Sequence, residues 1–278
     1  MPINVSVLIL TMNEEANLER CLASVEWSDD VVVLDSGSTD RTHDIVRKAG
    51  VRMEIRPFDD YASQRNYGLQ NISYKYPWVL MVDADEVVPP DLANEIQHAV
   101  ASCGESICLF RMRRKDFLMG KWLRYSSGYP TWFGRLIRLG HVRVERSINE
   151  EYHTDGDIAE LKNHLYHYPF NKGMHAWLEK HNRYSSMEAE LKVQSQPEQL
   201  HWAKLFAKDP VKRRKAQKAL VYMLPGRPLL VFVLFYIVRG GFLEGRAGLM
   251  FSALKAIYEY MIVCKVKELE RRKVGLPF

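Results

Sequence analysis

Short apolar runs alternate with amphipathic segments over the first 100 residues, and few folds accommodate such a pattern. The runs at 4–10, 30–35, 51–55 and 78–82 have strand length, and their apolar character is typical of strands buried on both faces. The helices predicted between and after them cover residues 13–27, the stretch up to Ala49, 61–70 and about 91–100. This alternation predicts an α/β fold with a mainly parallel sheet covered by helices on both faces.

The pattern changes after residue 106. Shorter, strand-like pieces rich in arginine and aromatic residues extend to His153, and they predict mixed or antiparallel sheet that forms one wall of a cleft. Helices are predicted at 172–191 and at about 247–273. The predicted fold class is therefore α/β, a mixed sheet flanked by helices with a C-terminal helical extension.

Composition excludes several classes of protein. The chain has 278 residues, 47% of them hydrophobic and 26% charged, so it is not expected to be disordered or fibrous. Its four cysteines lack metal-ligand spacing, so neither a disulfide scaffold nor a zinc site is expected. The first residues lack the basic leader and cleavage site of a signal peptide, which favours a cytoplasmic location.

Charge is distributed unevenly. Residues 201–278 carry 16 Lys and Arg against 5 Asp and Glu, a net charge of +11. Because the whole chain has a net charge of +5, the first 200 residues carry −6. The basic residues lie beside apolar runs, of which Leu229–Val238 is about half the roughly 20 residues of a bilayer-spanning helix. We expect this region to lie on an anionic membrane surface, or to pack in the core or between copies of the chain. Because the basic residues do not follow a polar groove, nucleic acid is not an expected partner.

The sequence Asp83-Ala-Asp85 follows a buried apolar run directly. Two carboxylates one residue apart at a strand end can hold a hard divalent cation and leave positions open for phosphate oxygens. An isolated motif of this kind is often only a solvated turn. A second acidic strand end at Asp35 favours the metal site.

Two other strand ends carry polar residues. Asp35 precedes Ser36-Gly37-Ser38-Thr39-Asp40, and it can accept hydrogen bonds from a ribose or a base edge while the small residues let a ligand approach. Asp40 can also cap the following helix. The residues Thr11-Met-Asn13-Glu14 follow the first strand in a similar position. We expect a ligand site at this edge of the sheet.

These residues together resemble a known family. The motifs that carry the resemblance are Val7-Leu-Ile-Leu-Thr11-Met-Asn13-Glu14-Glu, Val33-Leu-Asp35-Ser-Gly-Ser-Thr-Asp40, Gln64-Arg65-Asn66 and Asp83-Ala-Asp85-Glu. They are similar to the nucleotide-sugar-binding half of glycosyltransferase family 2. Later motifs resemble its bacterial lipopolysaccharide-core and surface-polysaccharide branch, namely Tyr129-Pro130, Arg135-Leu-Ile-Arg138 and Gly241-Phe-Leu-Glu-Gly245.

The resemblance implies a GT-A (Rossmann-like) fold, a nucleotide-sugar donor that is most often a UDP-sugar, a Mg or Mn ion, and inversion at the anomeric carbon. It implies that the nucleotide is bound by Thr11, Asn13, Glu14, Asp35, Arg65 and Asp83, and the metal by Asp85 and Asp83. The implied division is 1–112 for the nucleotide-sugar half, 113–170 for the acceptor-side half and 171–278 for a membrane-associating helical region.

An inverting transfer also needs a base that deprotonates the acceptor hydroxyl. The candidates are Glu150 and Glu151, which follow the strands of the cleft wall. Members of the branch often have His-Glu at this place, whereas Asn149-Glu150 stands here. We rank Glu150 first and Glu151 second, and a residue elsewhere remains an alternative.

Arginine and aromatic residues between 111 and 138 form a candidate acceptor site. Guanidinium groups bind phosphate and aromatic rings stack on sugars, which suits a phosphorylated glycan or a lipid-linked acceptor. The acceptor-side candidates are Arg111, Trp132, Arg135 and Arg138. The histidines His164, His167 and His175 have no recognisable metal spacing, and we interpret them as structural or acceptor-side.

The predicted function is an inverting, metal-dependent transfer of sugar to a lipid-anchored glycan, such as a lipopolysaccharide core or an undecaprenyl-diphosphate-linked saccharide, at the inner face of the cell membrane. One alternative is a polyprenyl-phosphate glycosyltransferase, which needs no base. Another is a non-catalytic membrane scaffold that binds nucleotide. The protein is expected to be peripheral or monotopic, and a homo-oligomer is compatible with its apolar tail.

Overall fold

The computed structural model of the chain describes residues 4–145, 151–194 and 226–278. The chain forms two compact units. The first contains Met1–Phe117 and Tyr129–Lys172, and the second contains Leu118–Gly128 and Gly173–Phe278.

The elements of the first unit follow the predicted alternation. Its strands are β1 (Ser6–Thr11), β2 (Val31–Asp35), β3 (Arg52–Ile55), β4 (Trp78–Asp83), β5 (Glu86–Val87), β6 (Ile107–Leu118), β8 (Trp132–Arg138), β9 (Val142–Glu145), β10 (Glu151–Thr154) and β11 (Asp157–His167). The short strand β7 (Lys121–Trp122) belongs to the second unit. The helices are α1 (Leu18–Ala23), α2 (Thr42–Ala49), α3 (Tyr61–Asn71) and α4 (Pro90–Ser102).

One mixed sheet organises the first unit, with strand order β3-β2-β1-β4-β8-β6-β11-β5. The strands β3, β2, β1 and β4 are parallel to one another, whereas β8 runs antiparallel to both β4 and β6. Strand β11 is parallel to β6, and β5 is antiparallel to β11. The predicted α/β class, a mixed sheet flanked by helices, is confirmed.

Side chains alternate between two buried clusters, one on each face of the sheet. Val7 and Ile9 of β1 pack with residues of α1, α2 and α4, whereas Leu8 between them packs with α3 and β9. A strand covered on both faces cannot carry polar side chains along its length, so polar groups are confined to its ends.

The predicted helix over 13–27 is longer than the helix that forms. Helix α1 covers only Leu18–Ala23, because residues before it are bound into a loop. Asn13 has φ of 54°, which lies in the left-handed region and is incompatible with a continuous α-helix.

The second unit is mainly helical. It contains α5 (Gly173–Gln194), the short helix Arg227–Val233, a wide turn at Leu234–Val238, a tight turn at Gly241–Glu244, and the C-terminal helix Arg246–Lys273. Within the described residues, the C-terminal helix is the one long and apolar enough to cross a membrane, by length and composition alone. Its Lys265 donates to the carbonyl oxygen and Oδ1 of Asn182 on α5 at 2.6 and 2.7 Å.

Candidate active site

The carboxyl ends of three adjacent strands bring the predicted site residues together. Thr11 pairs with Asp35 in the register of β1 and β2, and Leu10 pairs with Asp83 in the register of β1 and β4. The order β2-β1-β4 therefore aligns one hydroxyl and two carboxylates along one edge.

Asp35 is buried and satisfied by neutral donors and one histidine. Its carboxylate accepts hydrogen bonds from the backbone N–H of Gly37 and Ser38 at 2.9 and 2.8 Å, and from the hydroxyl of Thr11 at 2.9 Å. The hydroxyl of Ser38 and Nε2 of His43 lie at 2.5 and 2.8 Å. Burial alone would raise its pKa, but the bonds from Ser38, His43 and Thr11 outweigh burial and hold the pKa of Asp35 below its ordinary value.

The loop after β1 is bound to the loop after β2. The backbone N–H of Asn13 donates to the hydroxyl of Ser38 at 2.7 Å, and Oδ1 of Asn13 accepts from the backbone N–H of Thr39 at 2.7 Å. The backbone N–H of Glu14 donates to the hydroxyl of Thr42 at 2.9 Å. These contacts make the two loops one preformed wall, on which Thr11, Asn13 and Asp35 lie together.

Glu14 faces the acidic centre of the site. Its Oε1 lies 2.9 Å from Nζ of Lys172. Burial raises the pKa of Glu14 above its ordinary value and the charge of Asp85 raises it further, while Lys172 and Asn17 oppose the rise. The charge of Asp85 therefore disfavours ionisation of Glu14, whereas Lys172 favours it.

Asp83 is held between two arginines. Its Oδ1 lies 3.1 Å from Arg65 and its Oδ2 lies 2.6 Å from Arg135. Arg135 also bridges to the fully buried Glu86 at 2.9 Å. Burial opposes ionisation, but Arg135 and Arg65, with Arg114 beyond them, hold the pKa of Asp83 far below its ordinary range. Asp83 is therefore an ionised group whose two oxygens already have cationic partners.

Asp85 has a different environment. Its Oδ2 lies 3.3 Å from Nε2 of His167, and Nδ1 of the same ring lies 2.7 Å from Asp116. Burial and Arg114 lower the pKa of His167, but the carboxylates of Asp85 and Asp116 dominate and raise it to about 9. A carboxylate oxygen and an imidazole nitrogen side by side favour Mn²⁺ over Mg²⁺, because Mg²⁺ prefers sites made only of oxygen ligands.

Sequence reasoning missed His167 as a partner of Asp85, since the two residues are far apart in the chain. The antiparallel pairing of β11 with β5 places His167 opposite Glu86, the residue directly after Asp85. The spacing of residues in the sequence does not predict that β11 pairs with β5.

Helix α3 connects the two acidic strand ends through three consecutive side chains. Gln64 donates to the hydroxyl of Ser36 at 3.1 Å, Arg65 binds Asp83, and Asn66 binds the backbone of Val144 on β9. The helix approaches the sheet closely at Gly68, where a Cβ atom would lie 2.5 Å from Leu8.

One of the two base candidates lies on the antiparallel pair of strands β9 and β10. Glu150 lies outside the described residues, and Glu151 is exposed at the start of β10. Tyr152 packs against Gly134, the neighbour of Arg135, so this end of the hairpin is on the side of the sheet edge that carries Asp83.

The acceptor-side candidates do not form one cluster. Arg135 is buried against Asp83, and Arg138 lies at the other end of β8, where its Nη1 donates to the carbonyl of Glu105 at 2.5 Å. Trp132 is exposed beneath the guanidinium of Arg113, 5.0 Å from the ring centroid, and Arg111 is half-buried on β6.

The family follows from a match over most of the first unit and the start of α5. Residues 6–175 match the family model described as glycosyl transferase family 2. The chain belongs to glycosyltransferase family 2. This match covers more than half of the chain and includes Thr11, Asp35, Asp83, Asp85 and His167. The chain is therefore a glycosyltransferase, and the predicted GT-A fold is confirmed.

Relatives of this family 2 glycosyltransferase extend over nearly its whole length. The lipopolysaccharide core biosynthesis glycosyltransferase LpsC of Rhizobium meliloti is 27% identical over 270 residues, which cover 94% of this chain and 91% of that protein. An uncharacterized glycosyltransferase of Rickettsia typhi is 26% identical over 95% of this chain and 87% of its own length. Among solved structures, glucosyl-3-phosphoglycerate synthase of Mycobacterium tuberculosis is 26% identical over 40% of this chain and 44% of that chain, with a TM-score of 0.34.

Proposed function

We propose that this glycosyltransferase is inverting and metal-dependent, and that it moves a sugar from a UDP-sugar to a lipid-anchored glycan at the cytoplasmic face of the membrane. The acceptor class is a lipopolysaccharide core or an undecaprenyl-diphosphate-linked saccharide. The observation that carries the proposal is the unequal treatment of the two carboxylates after β4. Both carboxylate oxygens of Asp83 are bound by arginines, whereas Oδ2 of Asp85 lies 3.3 Å from the imidazole of His167.

Asp85 and His167 are the residues that would hold the metal, because their donor atoms are adjacent and chemically suited to Mn²⁺. A bound divalent cation neutralises the diphosphate that leaves when the sugar is transferred. His167 must lose its proton to act as a ligand, so metal binding would release a proton. Asp116 would then orient the ring through Nδ1.

The chain's own residues supply the other parts of the reaction. Asn13 and Glu14 would contact the nucleoside, and the buried Thr11 and Asp35 would hold the shape of that wall. Arg65, which binds Asp83, would lie near the diphosphate. Glu150 or Glu151 would take the proton from the acceptor hydroxyl on the opposite face of the sugar.

Two observations support a lipid-anchored acceptor. The relative from Rhizobium meliloti, which matches over nearly the whole chain, is a lipopolysaccharide core glycosyltransferase. The exposed Trp132 beside Arg113 offers a ring for sugar stacking next to a cation for phosphate.

The first experiment measures nucleotide release from a panel of UDP-, GDP- and dTDP-sugars, with and without Mn²⁺ or Mg²⁺. We expect one UDP-sugar to be hydrolysed slowly in the presence of metal, and Asp85→Ala to abolish release. The matched control is Asp44→Ala, which removes an exposed carboxylate of α2. Release that is equal with and without metal would contradict the metal role.

A second experiment reads metal binding without turnover. Titration of Mn²⁺ followed by electron paramagnetic resonance should show weaker binding by about 10- to 100-fold in Asp85→Ala and in His167→Ala. Asp44→Ala should bind like the wild type. Wild-type affinity in both site variants would place the metal elsewhere.

The base is tested by Glu150→Gln and Glu151→Gln with a glycan acceptor. We expect one variant to lose transfer while donor hydrolysis continues, because the donor site is intact. Full transfer by both variants, together with activity on a polyprenyl phosphate, would favour a lipid-phosphate acceptor, which needs no base.

A further inference from the structure

Two adjoining turns in the second unit hold large apolar side chains in solvent. The wide turn Leu234–Val238 is followed by a reversal at Gly240, with φ of 81°, and by the tight turn Gly241–Glu244. Four side chains on these turns are more than half exposed, and we name them the apolar tip: Ile237 (57%), Val238 (71%), Phe242 (52%) and Leu243 (61%).

The tip is held in a defined conformation. Glu244 is buried, and its carboxylate accepts hydrogen bonds from the backbone N–H of Tyr125 at 2.6 Å and of Ser126 at 3.2 Å, and from the hydroxyl of Ser126. A Cβ atom on Gly241 would lie 2.6 Å from the carbonyl oxygen of Phe235, so the two turns are packed against each other. Exposure of the tip is therefore a property of the folded unit, and it places four hydrophobic groups where water must solvate them.

The charges around the tip have one sign. In segments 118–128 and 226–250 the only acidic residue is Glu244, which is buried. Four basic side chains of the same segments are exposed, namely Lys121, Arg124, Arg239 and Arg246, whereas Arg227 is buried. Arg239 follows Val238 directly, and Lys121 lies 3.4 Å from the carbonyl oxygen of Glu244. Apolar groups ringed by cations match the interface of an anionic bilayer, where acyl chains lie beneath phosphate groups.

Packing of the C-terminal helix argues against a membrane-spanning role for it. Lys265 binds Asn182, Ser185 and Ser186 of α5, and Ser185 and Ala189 are buried in the unit. Helix α5 carries charged side chains along its length, which include Glu179, Lys180, Arg183, Glu188 and Glu190. If the C-terminal helix entered the hydrocarbon region while packed on α5, the charged side chains of α5 would enter it too, at a high cost in free energy. The second unit suits the surface of a bilayer instead.

We propose that the apolar tip inserts into the headgroup region of an anionic bilayer, with Arg124, Arg239, Arg246 and Lys121 on lipid phosphates. This inference rests on the proposed function only in taking the membrane as the place where the acceptor is met. It specifies which residues enter the bilayer.

The experiment is co-sedimentation of the full-length protein with vesicles of phosphatidylglycerol and phosphatidylcholine in equal parts, and with vesicles of phosphatidylcholine alone. The test variant is Ile237→Ser/Val238→Ser/Phe242→Ser/Leu243→Ser, which replaces only exposed side chains. The matched control is Ile257→Ser/Tyr260→Ser, which removes exposed apolar side chains from the C-terminal helix. We expect the tip variant to lose binding to the mixed vesicles by on the order of tenfold or more, and the control to bind like the wild type.

A charge variant tests the second half of the proposal. Arg124→Glu/Arg246→Glu should weaken binding to the mixed vesicles and remove its salt dependence, because both effects come from the anionic lipid. Wild-type binding by the tip variant, or a loss confined to the Ile257 and Tyr260 control, would overturn the proposal.

Two further readouts separate the alternatives. If sedimentation velocity shows that the wild type is a dimer and the tip variant a monomer, with equal vesicle binding by both, the tip is an interface between copies and the proposal fails. Hydrolysis of the donor sugar by the same preparations tests the proposed function independently. A tip variant that hydrolyses the donor normally but no longer binds the vesicles supports the inference. A tip variant that hydrolyses the donor and binds the vesicles like the wild type contradicts the inference and leaves the proposed function intact.

Discussion

Asp35 and Asp83 end the two buried strands that flank β1 in one sheet, yet their carboxylates are stabilised by different kinds of partner. Asp35 is surrounded by hydroxyl and backbone N–H donors and by one histidine, and most of these partners follow it within eight residues. Asp83 is bound by two guanidinium groups from α3 and β8, which lie 18 and 52 residues away in the chain.

The two carboxylates are stabilised at different stages of folding. Short-range hydrogen bonds can form as soon as the turn after β2 forms, so Asp35 stabilises its own loop. The arginine pairs require the whole sheet, and each buried charge depends on partners of the opposite sign. The Asp35 side of the candidate site is therefore stabilised by local hydrogen bonds, and the Asp83 side by contacts between segments that are far apart in the chain.

The largest effect is expected from Arg135→Met. The variant leaves the buried Glu86 and one oxygen of Asp83 without their main cation, so the free energy of unfolding should fall by about 3 to 5 kcal/mol. Thr11→Val removes one neutral donor from Asp35 and should cost only about 1 kcal/mol. Urea unfolding of both variants measures the contrast. Equal losses would remove the distinction between the two anchors.

Asp35→Asn should have an intermediate effect. Asparagine offers one neutral acceptor oxygen in place of two charged ones, and its NH2 group faces either the N–H groups of Gly37 and Ser38 or the hydroxyls of Thr11 and Ser38. Hydrogen bonds to a charged acceptor are therefore lost, at a cost of about 2 kcal/mol in the free energy of unfolding. Asp44→Asn, at an exposed position on α2, is the control. Hydrogen exchange should localise the loss to the loops after β1 and β2, and a loss spread evenly over the sheet would argue against a local anchor.

Gly68→Ala should perturb both anchors weakly, since α3 carries Gln64 toward the Asp35 loop and Arg65 toward Asp83. The added Cβ would meet Leu8, which is fully buried, so we expect a loss of about 1 kcal/mol in the free energy of unfolding. Gly104→Ala is a matched control, because no atom lies within 4 Å of its added Cβ. A stabilised Gly68→Ala would mean that α3 can move away from the sheet without cost.

The smallest effect is expected for the pH dependence that Asp35 gives to the free energy of unfolding, which is confined to acidic pH. Its pKa is below the ordinary value of 3.8 in the folded state, so the unfolded chain binds the proton more tightly. The stabilisation is present in full above the unfolded pKa of about 3.9 and is lost as pH falls through the lower, folded value. Unfolding free energies of the wild type and Asp35→Asn should therefore converge below pH 4. A constant difference at all pH values would contradict this linkage.

Much of the site could be predicted from sequence because its parts are local. Asp35, Asp83 and Asp85 each follow an apolar run directly, and the end of a buried strand is where a polar side chain can first appear. The prediction for helix α1 was wrong at its start, since residues 12–17 have an amphipathic pattern but are bound to Ser38, Asp40 and Thr42. Periodicity cannot detect bonds to another loop.

The partners of the two carboxylates of the Asp83-Ala-Asp85 motif could not be predicted. Arg135 is an acceptor-side candidate in the sequence because arginines there alternate with aromatic residues, yet in the fold it is buried on Asp83 and Glu86. His167 has no local neighbour that marks it. Both contacts depend on which strands pair with each other, and the pairing of strands that are far apart in the chain cannot be detected from sequence periodicity.

The alternation of strands and helices, the polar ends of the strands and the basic, apolar character of residues 201–278 can all be derived from the sequence, because they depend only on residue type and spacing. The tertiary structure decided that Asp83 is closed by two arginines while Asp85 faces His167. It also decided that Ile237, Val238, Phe242 and Leu243 remain in solvent. The physical reason is the same in each case: charge pairing and burial depend on distances through space, and these exist only once distant segments have packed together.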